Sequence, residues 1–365
     1  MNTAFVGEPV LSAEAEAGGK EKLEPLVDPI LFQKVGFEHF RTPVSSKPAC
    51  NRVPVSYEDG TPVLWILHLF SGRRRRGDCH FWTECCSGVL PGFIVRILSV
   101  DTAIHPVHGN LDRGPVYDRM LRIIKKRFFA AGLTGPPCET FSAARHIDLP
   151  DQRHPRPLRS SEFPWLLADR SCREMFQVLI GTRLLFHSLI AEVSLVLAGA
   201  CSLMEHPTEN SDSNKVSVWR LNCHSDWVMA LHEAKQHKIE QWKYGSRGIK
   251  PTTLRAVNMG PPALVEKILE QNTDSTLVRP CYALAGKHGD GSYKTASAKE
   301  YPSHLCRAMV LATLYSLKHR IDSHGVVPAL PLAADEHEWI SALHACAIQD
   351  SLSGKIGRAS CRERV

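Results

Sequence analysis

The sequence predicts an α/β fold: a mostly parallel sheet with helices on both faces. Three observations carry this. Short, dense apolar runs alternate along the chain with stretches whose apolar residues recur at helical spacing. The apolar runs show no polar alternation, which is how strands buried on both faces read. The polar and small residues that interrupt the pattern gather at the ends of those runs, where ligands sit in open parallel sheets.

Taken in order, residues 1–55 are expected to be an extended leader, Ala/Glu/Gly/Lys-rich and then dotted with prolines. The ordered core is expected from Pro62. Val63–Phe70 (VLWILHLF) is the first strand. The segment after it, with Cys79, His80, Cys85 and Cys86, reads as a packed helix, because its spacing fits no common zinc pattern. Phe93–Val100 is the second strand and runs into Asp101. Val116–Phe128 is a helix, with Met120, Leu121 and Ile124 set against Arg119, Arg122, Lys125 and Lys126. Phe129–Leu133 is the third strand, and Arg173–Ile190 is a long amphipathic helix. Val193–Met204 is a fourth strand ending at Glu205. The longest apolar run, Leu189 to Met204, is interrupted by Glu192 and too short to span a bilayer; it reads as a helix end leading into a buried strand, and no membrane partner is expected. Ser225 could cap a helix through Glu233, and Lys238–Tyr244 is the next strand. One catalytic-type domain over 56–322 and a tail over 323–355 follow, the tail with helical spacing around Trp339, Ile340 and Leu343.

The last ten residues, 356–365 (IGRASCRERV), read as the translation of a sequencing-library adapter and are set apart as an artefact; the native C-terminus is expected to differ. They hold three Arg and one Glu, so the net charge of +6 becomes +4, and 11 of the 12 cysteines remain. This mild charge permits a nucleic-acid partner without requiring one. The N-terminal residues are polar and acidic with no apolar core, so the chain is expected in the nucleus or cytoplasm with reduced thiols, and not secreted. The 18 histidines are scattered without a paired metal motif, and no G-x-S-x-G is present. No metal site is expected.

The chemistry-bearing residues fall at the strand ends. Phe70-Ser71-Gly72 closes the first strand, where a glycine lets the backbone turn close to a ligand. Asp101 stands where an acid can accept from ribose hydroxyls. Each has an ordinary alternative, a turn glycine or a strand-end polar residue. Pro136-Pro137-Cys138 is sharper: two prolines stiffen the loop and hold a thiol outside the sheet, as a nucleophile requires. A buried structural cysteine is the alternative. Glu205 ends an apolar strand, where a carboxylate is costly unless solvated or used.

Read in order, these segments resemble the DNA cytosine carbon-5 methyltransferases over roughly residues 62–260. The resemblance implies a Rossmann-like sheet that binds S-adenosylmethionine through Phe70, Ser71, Gly72, Asp101, Asn110 and Pro136. It implies Cys138 as nucleophile on cytosine carbon-6, Glu205 on the N3/N4 edge, and Arg255 as the family's supporting arginine. The implied partner is DNA or RNA, with Arg145, Arg153, Arg156 and Arg159 against phosphates. Tyr301–Cys306 would be the strand–helix return that completes the sheet. The sequence also departs from the family. Arg73-Arg74-Arg75-Arg76 replaces its glycine-rich cofactor loop, either to meet phosphate or as a solvated charge run. Glu139 stands where the family has Gln, Asn110 replaces an Asp, and the segment between Cys138 and Glu205 is long. Three functions stay open: methylation of cytosine in DNA, the same chemistry on RNA, and a non-catalytic nucleic-acid-binding derivative.

Overall fold

The computed structural model describes residues 51–147, 156–209, 211–221, 234–280 and 300–352. Strands β1 (Val53–Glu58) and β2 (Thr61–Leu69) form a hairpin over Asp59-Gly60, both with positive φ (48° and 79°). An Asp-Gly pair favours that tight turn because its twist matches the flanking strands. β1 lies ahead of the expected start at Pro62, and Val53 and Val55 are fully buried. β1 therefore starts inside the expected leader.

Helix α1 (Cys79–Cys86) starts at Asp78, whose carboxylate accepts from the Phe81 N–H at 2.7 Å. Next come β3 (Ile94–Val100), α2 (Gly114–Lys125), β4 (Phe129–Thr134) and α3 (Cys172–Leu197), the last opened by a Ser171/Glu174 capping box. The chain continues through β5 (Cys201–Pro207), β6 (Lys235–Glu240), β7 (Pro251–Val257) and α4 (Pro262–Gln271). It ends with α5 (Ser303–His324), β8 (Val326–Pro328) and α6 (Ala334–Leu352).

The fold is α/β, built on a mixed sheet of 8 strands in the order β6-β7-β5-β4-β2-β1-β8, with β3 also paired to β2. The central strands β3, β2, β4 and β5 are parallel, while β7 runs antiparallel to β5 and β6 to β7. Side chains of β2 alternate between two cores. Leu64 and Ile66 join α1, α4 and α5 on one face; Val63, Trp65 and Leu67 join α2, α3 and α6 on the other.

Several elements differ from their sequence reading. The apolar run over Val193–Met204 is divided: α3 continues to Leu197, Gly199 turns with φ 93°, and β5 opens at Cys201. Glu205 therefore lies inside a strand and is buried, rather than ending it. β6 starts earlier than expected, and Gln241–Tyr244 is a 3-10 turn closed by Gly245 (φ 99°). Of the strand–helix return expected at Tyr301–Cys306, the helix is present from Ser303 as α5, and Tyr301 and Pro302 lead into it without forming a strand. The helix expected from Ser225 to Glu233 lies outside the described residues. The tail helix α6 is part of the core: Trp339 is fully buried, donates to the His108 carbonyl at 3.0 Å, and Asp335 pairs with Arg119.

Among the described residues, only α3 is long and apolar enough to cross a membrane (mean hydropathy 1.5). Here it is a core helix: Leu185, Leu189 and Leu195 are buried, and Glu192 forms an ion pair inside the molecule. Cys79 and Cys86 are free thiols within α1, and no metal-holding cluster exists among the described residues. Cys85 is disulfide-bonded, a departure from the expectation of uniformly reduced thiols.

Candidate active site

The central strands end level. Leu69 pairs with both Val100 and Thr134, and Thr134 pairs with Met204. The residues that follow β2, β3 and β4 therefore emerge along one edge, next to Glu205 on β5.

On the β2–β3 side, Phe70 and Gly72 both have positive φ (58° and 70°), which folds the loop back sharply. The Gly72 N–H donates to Asp101 Oδ2 at 3.0 Å, and Ala103 N–H donates to Oδ1 at 2.7 Å. Asp101 thus ties the first loop to the second. Gly109 packs on the Asp101 carbonyl so closely that a Cβ there would collide with it. Asn110 turns its side chain to its own loop, accepting from the Asp112 N–H at 3.0 Å. Ser71 Oγ donates to the neighbouring Gly72 carbonyl at 3.3 Å.

The arginine run is divided between inward-held and exposed positions. Arg74 is buried and pairs with Asp78 at 3.1 Å. Arg75 donates to the Tyr301 carbonyl and pairs with Glu300 at 3.3 Å. Only Arg73 and Arg76 are exposed. Two of the four therefore hold the loop against α1 and the start of α5.

On the β4–β5 side, Pro136 is buried and Cys138 is half-buried, with φ −93° and ψ 2°. That backbone region is sparsely populated and common at active sites. Burial pushes the Cys138 thiol above its ordinary range; Lys250 opposes this, while Glu205 and Glu139 add to it. The buried Glu205 carboxylate has three donors. Tyr301 Oη stands 2.8 Å from Oε2, Gln241 Nε2 3.3 Å from Oε1, and Lys250 Nζ 3.4 Å from Oε1. Burial works against the Lys250 ammonium, but Glu205 and then Cys138 outweigh it and the amine is raised. The Tyr301 phenol is raised by burial and then by Glu205. Gly135 is where this group touches the Pro-Pro-Cys loop: a Cβ there would strike the Tyr301 hydroxyl and lie 3.5 Å from Glu205 Oε2.

Lys250, Tyr301 and Gln241 are the site residues that the sequence reading missed. Lys250 directly precedes β7, which pairs with β5, and Tyr301 precedes α5. Neither sits in a local pattern that marks a site.

The structure does not bring Arg255 to this cluster. In the β5–β7 register it pairs with Met204, one residue before Glu205, so its side chain leaves the opposite face of the sheet. There it is fully buried and engages Glu192 of α3, with Nε 3.2 Å from Oε1. Its place is in the core between β7 and α3. Arg159 is also fully buried, which rules out a phosphate contact. Its Nη2 donates to Thr140 Oγ1 (3.1 Å), the Val178 carbonyl (3.1 Å) and Thr182 Oγ1 (2.8 Å). Its guanidinium lies 4.0 Å above the Phe141 ring, and burial lowers it to about 9. Arg145 donates to the carbonyls of Glu139 (2.8 Å) and Arg156 (3.1 Å), and Arg156 pairs with Glu174 at 2.6 Å. These arginines hold the loop after Cys138. Arg153 lies outside the described residues.

No protein-family model matches the sequence, and no curated protein matches it. Distant similarity to solved structures exists. The S. pombe Dnmt2 methyltransferase is 12% identical with a TM-score of 0.29, over 56% of this chain and 55% of that one. A DNA modification methyltransferase from an E. coli prophage is 16% identical with a TM-score of 0.27, over 53% and 46%. A Spodoptera frugiperda DNMT2 variant is 12% identical with a TM-score of 0.27, over 80% and 99%. The chain spans about half the length of the first two. Similarity this distant identifies no family, and function has to be argued from the site.

Proposed function

We propose that this chain transfers a methyl group from S-adenosylmethionine to carbon-5 of cytosine in DNA, through a covalent bond between Cys138 and the base. The observation that carries the reading is the meeting of the Pro-Pro-Cys loop with the buried carboxylate of Glu205, across Gly135, at the carboxyl edge of a parallel sheet.

The residues at the β2–β3 edge fit a nucleoside-bearing cofactor. The space beside Gly72 is open, and the Asp101 carboxylate is only half-buried within reach of that loop. Arg74 and Arg75 are drawn away to Asp78 and Tyr301, which keeps their charge off a cationic ligand. Phe70, Ser71, Gly72 and Asp101 would hold the cofactor, which when bound supplies an electrophilic methyl group.

The chain's own residues would act as follows. Cytosine carbon-5 is a weak nucleophile. The Cys138 sulfur, as thiolate, forms a bond to carbon-6, and the ring electrons move to make carbon-5 an enamine carbon. Glu205 accepts from the N4 amine and, in its carboxylic-acid form, gives its proton to N3, where the electron pair displaced by the attack on carbon-6 gathers. After transfer, the carbon-5 proton passes to solvent, the electrons of that C–H bond re-form the carbon-5–carbon-6 double bond, the Cys138 thiolate leaves, and N3 returns its proton to Glu205. In duplex DNA the base has to leave the stack to reach a half-buried thiol.

Covalent trapping tests this. DNA and RNA oligonucleotides carrying 5-fluorocytosine are incubated with the full chain and S-adenosylmethionine, with Cys138→Ser as control. A denaturation-resistant adduct on DNA, absent in the control and without cofactor, is the expected result. An adduct only on RNA would move the reading to RNA. No adduct from folded protein that binds either nucleic acid would replace catalysis with a binding role.

A further inference from the structure

The candidate site holds one ammonium and two groups that compete for it. Lys250 Nζ lies 3.4 Å from Glu205 Oε1, and its side chain is 13% exposed against 4% for the carboxylate. The same ammonium sits 5.8 Å from the centre of the Tyr301 ring, so it is held between the carboxylate and an aromatic face. Across Gly135 the carboxylate adjoins the loop that carries Cys138. Among the described residues, the charges that act on the thiol are the Lys250 ammonium and, against it, Glu205 and Glu139. Conversely, the groups that draw on the Lys250 charge are Glu205 first and Cys138 second. A thiolate formed while Glu205 is also ionised would put two buried anions against one cation. Buried charges interact strongly because little water screens them.

We propose that the Lys250 ammonium is shared between Glu205 and Cys138, so that a base edge engaging Glu205 releases the cation to the Cys138 sulfur. While Glu205 holds Lys250, the sulfur keeps its proton. Hydrogen bonding of the carboxylate to a base amine spreads its charge and weakens its hold on the ammonium. The cation then counterbalances the thiolate, whose proton has passed to solvent. The nucleophile is thereby armed when a base is present and quiet otherwise. This rests on the proposed use of Glu205 to bind the base, but its test needs neither nucleic acid nor cofactor.

The test is the pH dependence of Cys138 alkylation by iodoacetamide in the full chain, followed by mass spectrometry of the Cys138 peptide. Below the thiol's titration range, a one-unit change in its ionisation changes the rate about tenfold. Glu205→Gln removes the competing anion while keeping the shape, so alkylation near neutral pH should quicken by about threefold to tenfold, with the profile displaced to lower pH. Lys250→Met should slow it by a similar factor, and Lys250→Arg should restore it. Slower alkylation in Glu205→Gln would overturn the proposal, because it would make Glu205 a base acting on the thiol. An unchanged profile in folded Lys250→Met would overturn it too. If Lys250→Met fails to fold by circular dichroism, the direction of the Glu205→Gln shift decides alone. The predicted shifts without any 5-fluorocytosine adduct would retain the shared cation and reject methyl transfer. An adduct without the shifts would do the reverse.

Discussion

The Tyr301 hydroxyl stands 2.8 Å from Glu205 Oε2, joining the segment that leads into α5 to the centre of β5 across 96 positions of sequence. The Tyr301 carbonyl at the same time accepts from Arg75. One residue therefore links the loop after β2 to the buried carboxylate. Tyr301→Phe removes a hydrogen bond to a charged group and leaves Lys250 and Gln241 in place. A loss of about 1.5–3 kcal/mol in urea unfolding is expected. An unchanged midpoint would mean that the hydroxyl adds nothing to the carboxylate's environment.

Gly135 gives a sharper test of the same contact. In Gly135→Ala the new methyl group strikes the Tyr301 hydroxyl, so the Pro-Pro-Cys loop or Tyr301 has to shift. Displacements of this kind near reacting atoms cost large factors in rate, and adduct formation should fall about tenfold or more. Tyr301→Phe removes the atom that is struck. The double variant Gly135→Ala/Tyr301→Phe should recover part of the loss, with a coupling of about 0.5–3 kcal/mol between the two changes. Strict additivity would separate the two residues.

The strands buried on both faces were legible in the sequence because their apolar runs are dense: β2, β3 and β4 begin and end within two residues of the reading. β1 carried a signal that was passed over, the Asp59-Gly60 turn between two apolar stretches. The burial of α6 was not legible, since helical spacing around Trp339 does not say which surface covers it. The places of the arginines were not legible for a related reason. A sequence reports the charge of Arg255 and Arg159 but not the face each occupies, and only pairing with Met204 turns Arg255 away from Glu205. Lys250 and Tyr301 reach Glu205 through closure of the sheet and of α5, which no local pattern records.

Arg159 tests the correction to the phosphate reading. Its guanidinium spans Thr140 in the loop after Cys138 and Thr182 in α3, and Gly181 leaves room for Thr140 to approach. Arg159→Lys keeps a buried charge but loses the planar fork that satisfies both walls. It should cost about 1–3 kcal/mol in unfolding experiments, because buried acceptors lose their donor. The salt dependence of nucleic-acid binding should stay as in the parent chain, because a fully buried arginine releases no counterion. A shallower salt slope in Arg159→Lys would restore the phosphate contact. Arg156→Ala breaks an exposed pair and should leave the unfolding midpoint unchanged.

Two buried histidines set a pH dependence. Burial lowers His206 to about 3, with Lys250 adding to the effect. Burial also lowers His68 to about 3, helped by His80, Arg74 and Arg75. In the unfolded chain each has the ordinary value of 6.5. Above 6.5 both states leave these rings neutral, and their titration costs nothing. Below 6.5 the unfolded chain takes up protons that the folded state refuses, so stability falls with falling pH until the folded values are reached. The slope is about 1.4 kcal/mol per pH unit for each histidine. Urea midpoints measured at about pH 7, 6 and 5 should therefore drop steeply. His206→Phe, placed among Phe141 and Trp219, should remove about half of this pair's contribution to the slope, whatever it does to stability at neutral pH. An unchanged slope in that variant would show that His206 takes up its proton in the folded chain as readily as in the unfolded one.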